Sequence, residues 1–204
     1  MRPTLSTCSN KRSGFTLLEV LVAGSLTVLG FFFLLTLLIR VSGVMNRVLT
    51  VSHLQQNCEM TVNRVAGFAS RCDVGGISFA QDPALSGLSL HPVEDAIDAN
   101  YKRYAPCITL FSWTPANLTL VETQSQPFSE EQRWQPSKLD ADAIGILSLK
   151  PPSRVLSRSI SRMEVYSPDR TCPLLLRLDF QANAPGYGPQ RIRVERYLSV
   201  RDAL

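Results

Sequence analysis

Proline is absent from Thr4 to Asp82, and between Phe15 and Ile39 the only charged residue is Glu19. The first absence leaves nothing to break a helix over the N-terminal third of the chain. The second leaves a long apolar run that water would not tolerate on a surface. Histidine is scarce, with 2 residues, and no CxxC or HxxxH spacing occurs, so a metal site has little support. His53 reads as a helix-surface residue and His91, before Pro92, as a loop residue. No GxSxG, P-loop or dinucleotide fingerprint is present, and adjacent Ser52 and His53 cannot face each other on a helix. The chain is therefore not expected to be an enzyme or to carry a cofactor; a membrane-anchored periplasmic hydrolase is the rival class. Skewed composition is lacking too. With 45% hydrophobic and 19% charged residues, 13 Pro and 11 Gly, disordered, collagen-like and coiled-coil chains are excluded. A net charge of +4 does not by itself announce a nucleic-acid binder.

What the sequence does have is asymmetry. Its 204 residues suit one domain plus an anchor. As a helix, Phe15–Ile39 would be about 37 Å long, enough to cross a hydrocarbon core of about 30 Å. A cleaved secretory signal would have a core of roughly 7–15 residues followed by a small-residue cleavage site. Arg2, Lys11 and Arg12 precede the run, and Arg40 and Arg47 follow it. The positive-inside rule then puts the N-terminus in the cytoplasm and exports the remainder. Glu19 stands out, because intramembrane acids cost roughly 2.5–3.5 kcal/mol at a bilayer centre and tend to be functional. The alternative is a wet, near-interface carboxylate favoured by a helix N-terminus.

Lys11-Arg12-Ser13-Gly14-Phe15-Thr16-Leu17-Leu18-Glu19-Val20 resembles the type IV prepilin signature: a basic leader ending in Gly, then Phe, then Glu at the fifth mature position. The resemblance covers roughly the first 40 residues. It implies cleavage of the leader 1–14 between Gly14 and Phe15 by a prepilin peptidase and N-methylation of Phe15. It also implies a role for Glu19 in assembly, aligning with the N-terminal amine of a neighbouring subunit. The expected place is the inner membrane, single-pass, with inner membrane lipid and other pilin subunits as partners, and then a pilus or pseudopilus. Many major pilins carry a proline about twenty residues into this helix. Its absence here suits a minor pilin or a secretion pseudopilin, and PilW-type minor pilins and J-type pseudopilins are the nearest in length and layout.

Beyond Arg40 a helical stripe continues through Val41, Val44, Met45, Val48, Val51, Leu54, Cys58, Val62, Val65 and Ala69. Asp73 and Gly75-Gly76 end it, so one helix is expected over 15–72 and a β-rich head over 73–204. In the head, Leu174, Leu176, Leu178 and Phe180 alternate with Arg177 and Asp179, while Ile192, Val194, Leu198 and Val200 share a face that Arg196 interrupts. These predict two antiparallel strands joined as a hairpin by Ala184–Pro189. Weaker strand signals lie at Cys107–Trp113, Asn117–Glu122, Ala143–Leu149 and Ile160–Tyr166, with long loops expected over Pro83–Pro106 and Thr123–Leu139. The expected fold is α+β and pilin-like: a long N-terminal helix packed on an antiparallel sheet.

Cys8 would leave with the leader, and the remaining Cys58, Cys72, Cys107 and Cys172 predict two disulfides in an exported domain, or else buried thiols. A Cys58–Cys72 bridge is disfavoured, because a continuous helix would separate them by about 21 Å. Asp140-Ala-Asp142 reads as a solvated turn in preference to a calcium loop. From Asp73 to Asp142 the net charge is −6, and from Ala143 to Leu204 it is +5. Arg154, Arg158, Arg162, Arg191 and Arg193, with Arg177, Arg201 and Tyr197 nearby, form a candidate basic patch. It would bind DNA through phosphate contacts and stacking, or else supply solvated strand faces and complementarity between subunits.

Overall fold

The computed structural model describes residues 15–96, 101–167, 174–184 and 186–200. It divides into two compact units, Met1–Met45 and Asn46–Leu204. Helix α1, Leu17–Ala69, runs through the boundary between them.

In the first unit every described side chain of the apolar run is exposed, and the helix has a mean hydropathy of 2.4 in its most apolar window. It is long and apolar enough to cross a membrane. Its few hydroxyls bond within the helix: Thr27 Oγ1 donates to Ala23 O, Thr36 Oγ1 to Phe32 O and Ser25 Oγ to Val22 O. Satisfying these donors locally is what a helix in hydrocarbon requires.

In the second unit α1 buries Leu54, Cys58, Thr61, Val62, Val65 and Ala69, one stripe at helical spacing. The expected stripe is longer than the observed one. Val48 remains exposed and burial begins at Leu54, where the sheets provide a surface to pack against. A 3-10 turn, Val74–Gly76, ends this stretch. Asp73 caps it by accepting from Gly76 N at 2.9 Å. Position 76 has to be glycine, since a Cβ there would lie 2.4 Å from His91 O.

Five antiparallel strands then form one sheet in the order β1 (Ile77–Asp82), β2 (Leu85–Leu90), β5 (Thr109–Thr114), β6 (Thr119–Gln124), β7 (Arg154–Ser157). Strands β3 (Val93–Ala96) and β4 (Lys102–Tyr104) make a small separate pair. A second sheet has the order β10 (Gly188–Leu198), β9 (Leu174–Ala184), β8 (Ile160–Tyr166). The main core joins the helix stripe to Leu88, Leu90, Phe111, Trp113 and Leu120 of the first sheet and Met163, Leu176, Leu178 and Phe180 of the second. Trp113 Nε1 donates to Ile160 O at 2.8 Å and ties the sheets together. On the other face of the first sheet, helix α2 (Ala141–Ser148) packs Ile144 and Leu147 against Leu110.

The β9–β10 hairpin forms with the expected alternation: Leu174, Leu176, Leu178 and Phe180 are all buried, and Gly186 and Gly188 take positive φ in the turn. Two expectations need correction. Ala143–Leu149 is helix α2, not a strand, because Asp140 caps it by accepting from Ala143 N at 2.7 Å and only Ile144 and Leu147 are buried. Pro83–Pro106 is not one loop and contains β2, β3 and β4. Strand β2 escapes a period-two reading because it is buried on both faces, with the small residues Ser86, Gly87 and Ser89 buried among the apolar ones. A Cβ at Gly87 would meet Ile144 Cγ2 at 2.6 Å.

Candidate functional site

The N-terminal turn of α1 is built by two residues of the motif. Thr16 N and Oγ1 both donate to Glu19 Oε2, at 2.9 and 3.1 Å, and Glu19 N donates back to Thr16 Oγ1 at 3.3 Å. This is a reciprocal capping box, Thr-x-x-Glu, which satisfies donors that a helix start otherwise leaves open. The sequence singles out Glu19 but not Thr16, although the capping-box spacing was there to be read. Gly14, Lys11 and Arg12 lie outside the described residues; Phe15 is fully displayed at 85% exposure.

Cys58, Cys72 and Cys107 are free thiols, so the two-bridge expectation finds no pair among these three; Cys172 lies outside the described residues. Burial, helped by neighbouring Asp73, pushes the Cys72 thiol up to about 12, and burial with Glu59 raises that of Cys58. Both are held in the unreactive thiol form at neutral pH. Asp140 spends its carboxylate on capping α2, and among the described residues no three His, Cys, Asp or Glu side chains lie close enough to hold a metal.

The candidate arginines separate. Arg162 and Arg193 flank Asp179 in one cross-strand row of the second sheet, and in the next row Arg177 stands between Glu164 and Glu195. Arg193 Nε meets Asp179 at 2.7 Å, Arg177 meets Glu195 at 2.6 Å and Glu164 at 3.2 Å, and Arg162 also pairs with Glu164. Burial alone would raise the Glu164 pKa. Bonds from Tyr166 and Arg177, with Arg162 alongside, outweigh it and hold the carboxyl below its ordinary range. This face is an alternating lattice of charge, with Tyr166 and Tyr197 in the row beyond. Arg162 and Arg193 are thus engaged, and Arg191 lies across from Gln181 on that sheet. Arg154 belongs to the other sheet, on β7, and Arg158 follows it in the connection to β8. The five do not form a continuous row of unpaired cations, which is what a phosphate track would need.

A buried polar network below the end of α1 is invisible in the sequence. Asp73 Oδ2 accepts from Tyr104 Oη at 2.7 Å and Lys102 Nζ at 3.3 Å. His91, fully buried, lies against the rings of Tyr104 and Phe128 with centroids at 5.0 and 5.3 Å. Its Nε2 bonds Ala105 O at 2.8 Å, while Ser137 N donates to Nδ1 at 3.1 Å. That pair of bonds fixes the neutral tautomer with its proton on Nε2. Burial lowers the His91 pKa, with smaller opposing effects from Ala105 O and Asp73. Burial and the Asp73 bond raise that of Tyr104. Arg133 closes the network, donating from Nε to Tyr104 O at 3.0 Å and pairing with Glu130 and Glu94. These partners are engaged with one another, and the arrangement clasps β3–β4 and the 3-10 turn Glu131–Trp134 to the helix end. Compared with known proteins, the chain matches no family model, no curated protein and no solved structure.

Proposed function

We propose that the chain is a minor subunit of a type IV pilus-like filament, held in the inner membrane by residues 15–39 before it assembles through its N-terminal helix. The observation that carries this reading is the placement of Glu19. It is the one charge in the apolar run 15–39, it lies five residues from Gly14 of a basic leader, and it stands in the first turn of α1. Capping the helix start uses the carboxylate's acceptor oxygens but leaves its charge without a partner. A filament supplies one: in a low-dielectric bundle of such helices, a carboxylate facing a neighbour's Phe15 amine is worth far more than in water. The β-rich head is compatible with the same reading, because its charge lattice and buried clasp hold its described elements to one another. Its partners are other pilin subunits, the prepilin peptidase and the membrane lipid.

A second reading, a pseudopilin of a type II secretion or competence machine, fits α1 equally well, since its run from Leu17 to Ala69 without a proline suits either kind of subunit. Both readings use the same helix chemistry. The test is incorporation of Glu19→Ala, measured by immunoblot of sheared filaments against membrane fractions. The expected result is normal membrane level and Gly14–Phe15 cleavage with reduced incorporation. Wild-type incorporation would make Glu19 merely a wet interfacial residue.

A further inference from the structure

A groove of about 500 Å³ opens within the second unit between α1 and β7, lined by Met60, Asn63 and Arg64 on the helix and Arg154, Val155 and Leu156 on the strand. Its volume falls in the range of about 300–1,000 Å³ typical of ligand sites. Its charge is unbalanced in a specific way. Glu122, buried on β6, lies directly across from Arg154 in the β6–β7 register. It is the acid opposite Arg154, yet its bidentate partner is Arg64, Nε to Oε2 at 3.1 Å and Nη2 to Oε1 at 3.0 Å. Arg64 is further held over the Phe68 ring at 4.8 Å. Arg154 therefore lines the groove with no hydrogen-bond or ion-pair partner among the described residues. A second guanidinium approaches from β10, where Arg196 Nη1 donates to the groove residue Asn63 at 2.7 Å.

Beside these cations the groove is apolar: Met60 is 57% exposed and Val155 is 40% exposed. β7 is also the edge strand of its sheet among the described residues, so its outward backbone groups are available to an added strand. We propose that this groove binds an extended, acidic segment of a partner polypeptide, laid along β7 with a carboxylate on Arg154 and an apolar side chain over Met60 and Leu156. Strand addition would supply affinity through the backbone, and Arg154 would supply selection through a charge-assisted, bidentate bond. Nucleic acid fits less well. No aromatic ring lines the groove for base stacking, and the buried carboxylate of Glu122 stands beside the track.

The test uses the full chain in detergent micelles and a fluorescein-labelled seven-residue peptide alternating glutamate and valine. Fluorescence anisotropy should detect binding to the wild type, weakened about tenfold or more by Arg154→Glu, by the tenfold-per-1.4 kcal/mol relation. Arg191→Glu, an equal charge reversal on the other sheet, should leave binding unchanged, and the peptide with glutamine for glutamate should not bind. Unchanged melting of Arg154→Glu by circular dichroism confirms that its fold is intact; Arg154→Gln serves if it is not. No binding by the wild type, equal loss with Arg191→Glu, or equal binding of the glutamine peptide would overturn the proposal. So would self-association of the chain, by sedimentation, that Arg154→Glu abolishes, since the occupant would then be a second copy. None of these outcomes depends on whether the chain assembles into a filament.

Discussion

Glu19 carries two jobs that a single alanine substitution cannot separate. Its carboxylate closes the capping box with Thr16, and its charge is available to a neighbouring amine. Glutamine at the same position keeps an acceptor for Thr16 N and removes the charge, as the capping-box pattern allows. If charge is what assembly needs, Glu19→Gln should lose incorporation as fully as Glu19→Ala, while Glu19→Asp is milder. If capping is what matters, Glu19→Gln should incorporate nearly as wild type, and immunoblots of sheared filaments decide between them. His91 makes a different prediction. Its pKa is lowered by burial in the folded chain, so the unfolded chain binds the proton more readily. The stability it contributes is complete above the unfolded value of about 6.5 and is lost as pH falls towards the lowered folded value. Thermal melts of the head should therefore drop between pH 7 and 5.5, ahead of carboxylate titration. His91→Gln should flatten that slope; an equally steep slope would locate the titrating group elsewhere.

Among the elements, α2 and β2 depend on each other. Gly87→Ala puts a methyl group against Ile144 Cγ2, a branch that cannot swing clear, and overpacking of this kind costs about 1–3 kcal/mol. The melting temperature should fall by about 2–10 °C, and an unchanged melt would mean that α2 sits further from the sheet. The same contact explains what the sequence could and could not yield. β9 and β10 are legible because one face of each packs and the other carries charge, so the period is two. α1 is legible because an unbroken apolar run, then a helical stripe beyond Arg40, and a lack of proline all agree. β2 is not, since both its faces are covered and small residues replace the apolar half of the pattern. α2 misleads because Ile144-Gly145-Ile146-Leu147 is dense in branched residues, although Asp140 marks a helix start. The site divides in the same manner. Glu19 belongs to a local motif and can be read directly, whereas Arg64 and Glu122 meet across 58 positions and only the fold brings Arg154 beside them.

At the scale of the whole molecule, the acidic stretch 73–142 and the basic stretch 143–204 each pair part of their charge internally, which leaves their opposite net signs in place. Asp73, Glu94, Glu122 and Glu130 are neutralised by Lys102, Arg133, Arg64 and Arg103, and the second sheet pairs its charges row by row. Three features stand out: an apolar run over 15–39 with every side chain exposed, an acid near its start, and an unpaired guanidinium in a groove. On the proposed function the first two serve assembly and require a processed N-terminus. The most direct measurement is N-terminal sequencing and intact mass of the protein extracted from membranes and from sheared filaments. The account predicts a chain that begins at methylated Phe15, with residues 1–14 removed. A chain in assembled filaments that retains Met1 through Gly14 would contradict it.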